Sequence, residues 1–276
     1  MNGQHNMKNV ICIKLGGSII TNKDIPLSLR SDVLKRLVQE IAEAREELQK
    51  QGKQTLFIIG HGQGSFAHAP AMKYQTMQGF INDESRMGMA ITQDTAAKLN
   101  RIVVHEFIQV GIPAVSVCPS NSLVTDHRKA FRWFSDVFEE YLKHGMFPIT
   151  GGDVIVDTSQ GCTIWSTEEV LAFFATVFIE RGWNVRGMYH VVEVDGVYDL
   201  EKKVVELITK ESWKELQKAV TATKGFDVTG GMALKVQESL ELAEKGVSSY
   251  ILSGLLLNNL KNALTGKMFK GTQISR

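Results

Sequence analysis

Val10-Ile-Cys-Ile-Lys-Leu-Gly-Gly-Ser18, continued by Ile19-Ile20-Thr21-Asn22-Lys23, is the stretch whose reading decides the fold. Val10 to Leu15 is a short apolar run with period-2 and β-branched character, so it reads as a buried strand. It breaks into a Gly-Gly-Ser turn flanked by two lysines. Such a turn suits phosphate: glycines let backbone N–H groups approach an oxyanion, Ser18 adds a hydroxyl donor, and Lys14 and Lys23 bring positive charge from either side. The plainer alternative is an ordinary strand and turn whose lysines are merely solvated.

Composition narrows the classes. A chain of 276 residues with 43% hydrophobic and 22% charged residues and a net charge of +1 can bury a substantial core, as one large α/β domain or two closely packed lobes. Nothing in it suggests disorder, a nucleic-acid-binding surface or a membrane span. Cys12, Cys118 and Cys162 lie far apart in mostly apolar runs, as free thiols in a reducing compartment do, and no metal-ligand spacing occurs. Met1 to Asn9 lacks the apolar segment of a signal peptide. The expectation is a cytoplasmic protein.

Outward from the first strand, Ser31 to Lys50 carries Leu34, Leu37, Val38, Ile41 and Leu48 at helical spacing. Thr55 to Ile59 reads as a strand that runs into a second glycine-rich loop, Gly60 to His68. Two such loops at successive strand ends place two anion sites on one edge of a parallel sheet. A long helix is predicted over Glu84 to Val110, a strand over Ala114 to Cys118, a helix over Lys129 to His144, and a strand over Phe147 to Thr150 ending at Gly151-Gly152-Asp153. Val154 to Val156 and Cys162 to Trp165 read as a β-hairpin. Thr167 opens a helix with Glu168 and Glu169 in its first turn, either simple first-turn residues or ligand contacts. Met188 to Val194 reads as a strand, Asp227 to Met232 as a third glycine-rich approach to a helix carrying Lys235, and Ser248 to Leu252 and Gln273 to Ser275 as closing strands.

Taken in order, IKLGGSIITNK (13–23), HGQGSFAH (61–68), GGDVIVD (151–157), VDGVYD (194–199), DVTGGMALKV (227–236) and GTQI (271–274) resemble the amino acid kinase superfamily and, within it, the isopentenyl phosphate kinases. The resemblance spans nearly all of Val10 to Ser275. It implies an α/β fold: a three-layer αβα sandwich with a mainly parallel central sheet of about eight strands. It also implies an acceptor-binding lobe over 1–165 and an ATP-binding lobe over 166–276 on one continuous sheet, ATP and Mg²⁺ as cofactors, a small-molecule phosphate as substrate, and a homodimer.

Site residues carry over by position. Lys14 and Lys23 match the lysines that neutralise the transferring phosphoryl group, and Asp153 the aspartate that holds the lysines in place. Lys235 matches a lysine on the nucleotide side. Gly16, Gly17, Ser18, Asp195, Tyr198, Gly230 and Gly231 complete the expected ATP site. Gly62, Gln63, Gly64, Ala67, His68 and Gly152 form the expected acceptor site, where His68 matches the histidine that grips the acceptor's own phosphate. That histidine sets isopentenyl phosphate and fosfomycin kinases apart from relatives that phosphorylate carboxylates. His61 reads as structural or solvated.

The chain also departs from the family pattern. Gln63 and Ala67 stand where the loop carries glycines, Ser166-Thr167-Glu168-Glu169 replaces SGDE, and Val192-Glu193-Val194-Asp195-Gly196 replaces TDVDG. The implied reaction is transfer of the ATP γ-phosphoryl group to isopentenyl phosphate. A related kinase of another small phosphate or phosphonate, and a non-catalytic nucleotide-binding relative, remain as alternatives.

Overall fold

The computed structural model describes residues 8–22, 24–222 and 231–276. Lys23 and Gly230 lie outside the described residues, as does the rest of the 223–230 segment that leads to the Lys235 helix.

The first strand, β1 (Asn9–Leu15), leads through one helical turn, α1 (Gly17–Ile20), to α2 (Ser31–Lys50). β2 (Thr55–His61) leads to α3 (Gly64–Lys73) and the long α4 (Ser85–Gln109). Then come β3 (Ala114–Ser116), β4 (Leu123–Asp126), β5 (Lys129–Trp133), α5 (Asp136–Lys143), β6 (Phe147–Gly151), β7 (Asp153–Asp157) and β8 (Gly161–Trp165). The remainder comprises α6 (Thr167–Glu180), β9 (Asn184–Val192), β10 (Leu207–Ile208), α7 (Lys210–Ala222), α8 (Gly231–Glu244), β11 (Ser249–Ser253), α9 (Asn259–Thr265) and β12 (Gly271–Ile274).

One sheet holds eight strands in the order β10-β12-β11-β9-β1-β2-β6-β3. Its pairings are parallel except that of β12 with β11. The central strands read as unbroken apolar runs because helices cover both faces. Ile11, Ile13 and Leu15 of β1 pack with α2, α4 and α9, while Val10 and Cys12 pack with α5 and α6. A third cluster joins Trp213, Val236 and Leu240 to Ile251 and Ile274. This is the expected αβα sandwich. β1 stands where the strand order reverses, with β2 and β6 to one side and β9 and β11 to the other. In open parallel sheets that reversal opens a crevice at the carboxyl ends of the strands.

The helix expected over Lys129 to His144 is only half present. Lys129–Trp133 is an edge strand, paired antiparallel with β4 through His127 and Arg128, both with positive φ (48° and 65°). A two-residue hairpin needs that backbone, and Asn-Gly is its usual signal. Here the strained turn is held from outside: the Arg128 N–H donates to Asp157 Oδ2 at 2.8 Å and the His127 N–H to Ser159 Oγ at 3.1 Å. The pair belongs to a second, four-stranded sheet, β5-β4-β7-β8, whose β7–β8 hairpin was legible. The glycine-rich stretch 60–68 also divides, since β2 runs on to His61 and α3 starts at Gly64.

Candidate active site

The two glycine loops meet backbone to backbone at the carboxyl ends of β1 and β2. A Cβ on Gly17 would lie 2.5 Å from the Gly64 nitrogen, and one on Gly62 would strike the Gly17 nitrogen. Gly64 has φ +49° and a Cβ there would run into Thr21. Thr21 stitches the loops, its hydroxyl donating to the Gly17 carbonyl at 2.8 Å and accepting from the Ser65 N–H at 3.0 Å. The Gly16 N–H donates to the Val191 carbonyl of β9 at 2.8 Å, and the Gly62 N–H to Leu15 at 2.8 Å. Gly17 and Ser18 thus stand ahead of the first intrahelical donors of α1, so helical geometry gives their N–H groups no partner within the helix.

A third element closes over the loops. A Cβ on Gly60 would lie 2.6 Å from Leu171 and Thr167 of α6, so that helix can ride directly on β2. Its start is held by a capping box between Ser166 and Glu169. Thr167 then ties α6 to two strand ends, donating to the His61 carbonyl at 2.7 Å and accepting from the Gly152 N–H at 2.8 Å. Glu168 is thereby lowered onto Lys14, whose register neighbours on the sheet are Gly60 and His190.

Lys14 donates to Glu168 Oε1, and Lys235 of α8 reaches the same oxygen at 3.0 Å. Lys14, Glu168 and Lys235 show 8%, 11% and 19% of their side chains to solvent. Burial acts to raise the Glu168 pKa, but the charges of Lys14 and then Lys235 outweigh it and hold the carboxyl down at about 2. Burial pushes the Lys14 ammonium down, with Glu168 opposing. Glu238, one turn beyond Lys235, is pushed up to about 7 by desolvation and by the charges of Glu168 and Glu169. Two lysines therefore share one carboxylate in a poorly hydrated pocket, with a net charge of +1, beside the glycine loops. An entering phosphate can compete with Glu168 for both.

The sign of this arrangement is measurable in acid. A carboxyl lowered from 4.5 to about 2 contributes stability that is present above pH 4.5 and lost as pH falls toward 2. It amounts to about 3 kcal/mol. The urea midpoint of Glu168→Gln should be lower at neutral pH but decline less between pH 4.5 and 2 than that of the wild type; parallel declines would sink the assignment.

The remaining expected residues distribute as follows. Asp153 accepts from the N–H groups of Ser120 at 3.1 Å and Val154 at 2.8 Å, and among the described residues no ion pair joins it to Lys14 or Lys235. Glu168 pairs with those two lysines instead, because the Gly60 contact brings α6 over β1. The Gln63 amide donates to the Gly152 carbonyl at 2.6 Å, spanning two strand ends, and its Oε1 is buried without a partner. Ala67 is buried in α3, and His68 is exposed one residue on. Asp195 pairs with Lys270 at 2.6 Å in a turn whose Val197 N–H donates to Thr272 at 2.8 Å. The Tyr198 hydroxyl accepts from the Asp195 N–H at 3.4 Å. Gly231 opens α8. His61 is fully buried, accepting from the Asn100 amide at 3.1 Å, which makes it structural.

Sequence reasoning did not assign Thr167, Arg30 or His190. Arg30 donates to the Ser18 carbonyl at 3.1 Å and to Glu193 at 2.9 Å, bracing the phosphate turn. The signal for Thr167 and Glu193 was present, since both fall in motifs that depart from the family pattern. Arg30 had none.

The profile of the amino acid kinase family matches residues 9–253. The chain is 32% identical to an isopentenyl phosphate kinase of Methanothermobacter thermautotrophicus, over 96% of this chain and 99% of that one. It is 29% identical to an isopentenyl phosphate kinase of Methanocaldococcus jannaschii, over 95% and 97%. A crystal structure of an isopentenyl phosphate kinase superposes with a TM-score of 0.80 at 29% identity, covering 96% of this chain and all of that one.

Proposed function

The chain belongs to the amino acid kinase family, and on that premise we propose that it transfers the γ-phosphoryl group of ATP to isopentenyl phosphate, giving isopentenyl diphosphate and ADP. The observation that carries the reading is the pair Lys14 and Lys235 on one carboxylate, at the sheet edge where the two glycine loops touch.

The acceptor is already an anion, so its oxygen needs no strong general base to attack the γ-phosphorus while the bond to the β-phosphate oxygen breaks. What the reaction needs is alignment and suppression of charge repulsion. Lys14 and Lys235 turn from Glu168 to the phosphates, and the Gly17 and Ser18 N–H groups donate to their oxygens. Lys23 belongs to the same proposal by its place in the motif. Mg²⁺ is proposed as the counter-ion of ATP, where it would neutralise charge on the phosphates.

His68 is proposed to donate to the acceptor's phosphate. Met72 lies four residues on, on the same exposed face of α3, Met77, Phe80 and Ile81 are exposed in the connection to α4, and Met87 is exposed in its first turn. This apolar rim suits a short prenyl tail. Acceptor binding by 1–165, ATP binding by 166–276, a homodimer and a cytoplasmic location complete the proposal. A second reading, the same transfer to another small phosphate or phosphonate, is favoured by Gln63, whose side chain stands where glycine backbone would face the acceptor.

A coupled ADP-release assay with Mg-ATP separates the two. Turnover is expected with isopentenyl and dimethylallyl phosphate, and a fall of about 10²-fold or more in His68→Ala. Turnover on fosfomycin alone would replace the first reading with the second.

A further inference from the structure

His190 lies in the apolar carboxyl-terminal half of β9, and its surroundings give it nothing to bond. It is 3% exposed, and both ring nitrogens are buried without a hydrogen-bond partner. A neutral imidazole carries one donor and one acceptor. Leaving both unmet in a dry site is costly, and a Met or Phe would fill the position without that cost.

The register shows where the ring faces. On β9, Met188 belongs to the core layer shared with α6, while Tyr189 and Val191 belong to the opposite layer. Side chains alternate along a strand, so His190 faces the α6 side with Met188. Lys14, its direct neighbour on β1, faces the same side by the same alternation with Cys12 and Ile13. The charged groups that act on the imidazole are Glu168 from α6, Lys14 from β1 and Lys235 from α8, and its β11 neighbour is Ile251. Both lysines pair with Glu168, and the imidazole makes no hydrogen bond to it.

That changes when nucleotide binds. If Lys14 and Lys235 turn to phosphate oxygens, Glu168 is left as a carboxylate in a site only 11% open to solvent, needing a donor. We infer that His190 is a positioning residue that donates an N–H to Glu168 when ATP draws the two lysines away, so that the free protein holds an unpartnered histidine whose partner appears only in the nucleotide complex. The inference rests on the kinase reading but not on the identity of the acceptor. It explains why a polar ring with no bonds occupies the floor of the site: the site is organised for the bound state at the expense of the free one.

The test uses the full chain, His190→Met and His190→Gln, with thermal melting of the free proteins and calorimetry of Mg-ATP binding without acceptor. His190→Met removes a buried, unbonded polar group, so its melting temperature should equal or exceed that of the wild type. Its affinity for Mg-ATP should fall about 10- to 100-fold, the worth of one hydrogen bond to a charged group. His190→Gln keeps an N–H and should recover most of that loss. Affinity within twofold of wild type in His190→Met, affinity no better in the Gln variant than in the Met variant, or a joint loss of melting temperature and affinity in both would each overturn the inference. Absence of Mg-ATP binding by the wild-type protein would overturn the kinase reading and this inference with it, whereas failure of prenyl phosphate turnover touches only the acceptor.

Discussion

Lys14→Met should lower kcat by about 10²–10³-fold at saturating substrates and leave the protein folded. Lys14 lies at the carboxyl end of β1, enclosed between Gly60 and His190, with its ammonium on Glu168. A charge held in so little water interacts strongly with developing charge on a phosphoryl group and needs no reorganisation as the reaction proceeds. Met keeps the apolar stem packed. It also leaves Glu168 with a cation, since Lys235 stays 3.0 Å from the same oxygen. Stability and activity should therefore separate. Lys14→Arg should not rescue, because a planar guanidinium is larger than the enclosed ammonium and aims its donors differently. Steady-state kinetics beside urea titration measure both, and a Lys14→Met enzyme with a tenth of wild-type kcat would remove Lys14 from the chemistry.

Gly17→Ala should damage both stability and activity. Its Cβ would lie 2.5 Å from the Gly64 nitrogen and 2.8 Å from the Gly64 Cα, and both are backbone atoms that cannot swing aside. Overpacking of this kind costs about 1–3 kcal/mol. The forced separation of the loops should cost about 10²-fold in kcat through misplacement of the reacting groups. Gly62→Ala pushes on the same contact from the other side, against the Gly17 nitrogen. The double variant should thus lose clearly less stability than the sum of the two singles, since either methyl alone already parts the loops. Additive losses would show that the loops do not share one contact.

The two expectations differ in how far the chain announced them. Both glycine turns and their strands stand in contiguous motifs, so the meeting of the two loops at one sheet edge is legible from spacing alone. The β4–β5 hairpin is not, because His127 and Arg128 take left-handed backbone conformations that neither residue prefers, and Asp157 and Ser159, about thirty residues away, hold them there. Local pattern favours a helix across Lys129 to His144 for the same reason: what fixes Lys129–Trp133 as a strand is its antiparallel pairing with β4.

The sequence by itself determined the layered α/β architecture, the parallel core and the glycine-rich edge, because these depend on periodicity and on residues with special backbone freedom, both local properties. Only the tertiary structure decided which acid serves the lysines. Asp153 and Glu168 are equally plausible as letters. α6 rides on the bare backbone of Gly60, and that contact brings Glu168 over Lys14, while Asp153 turns to the N–H groups of Ser120 and Val154. The same packing leaves His190 buried and without a hydrogen-bond partner beside the pair. Charge pairing across 154 positions of chain is set by which backbones can touch, and spacing along the chain does not encode that.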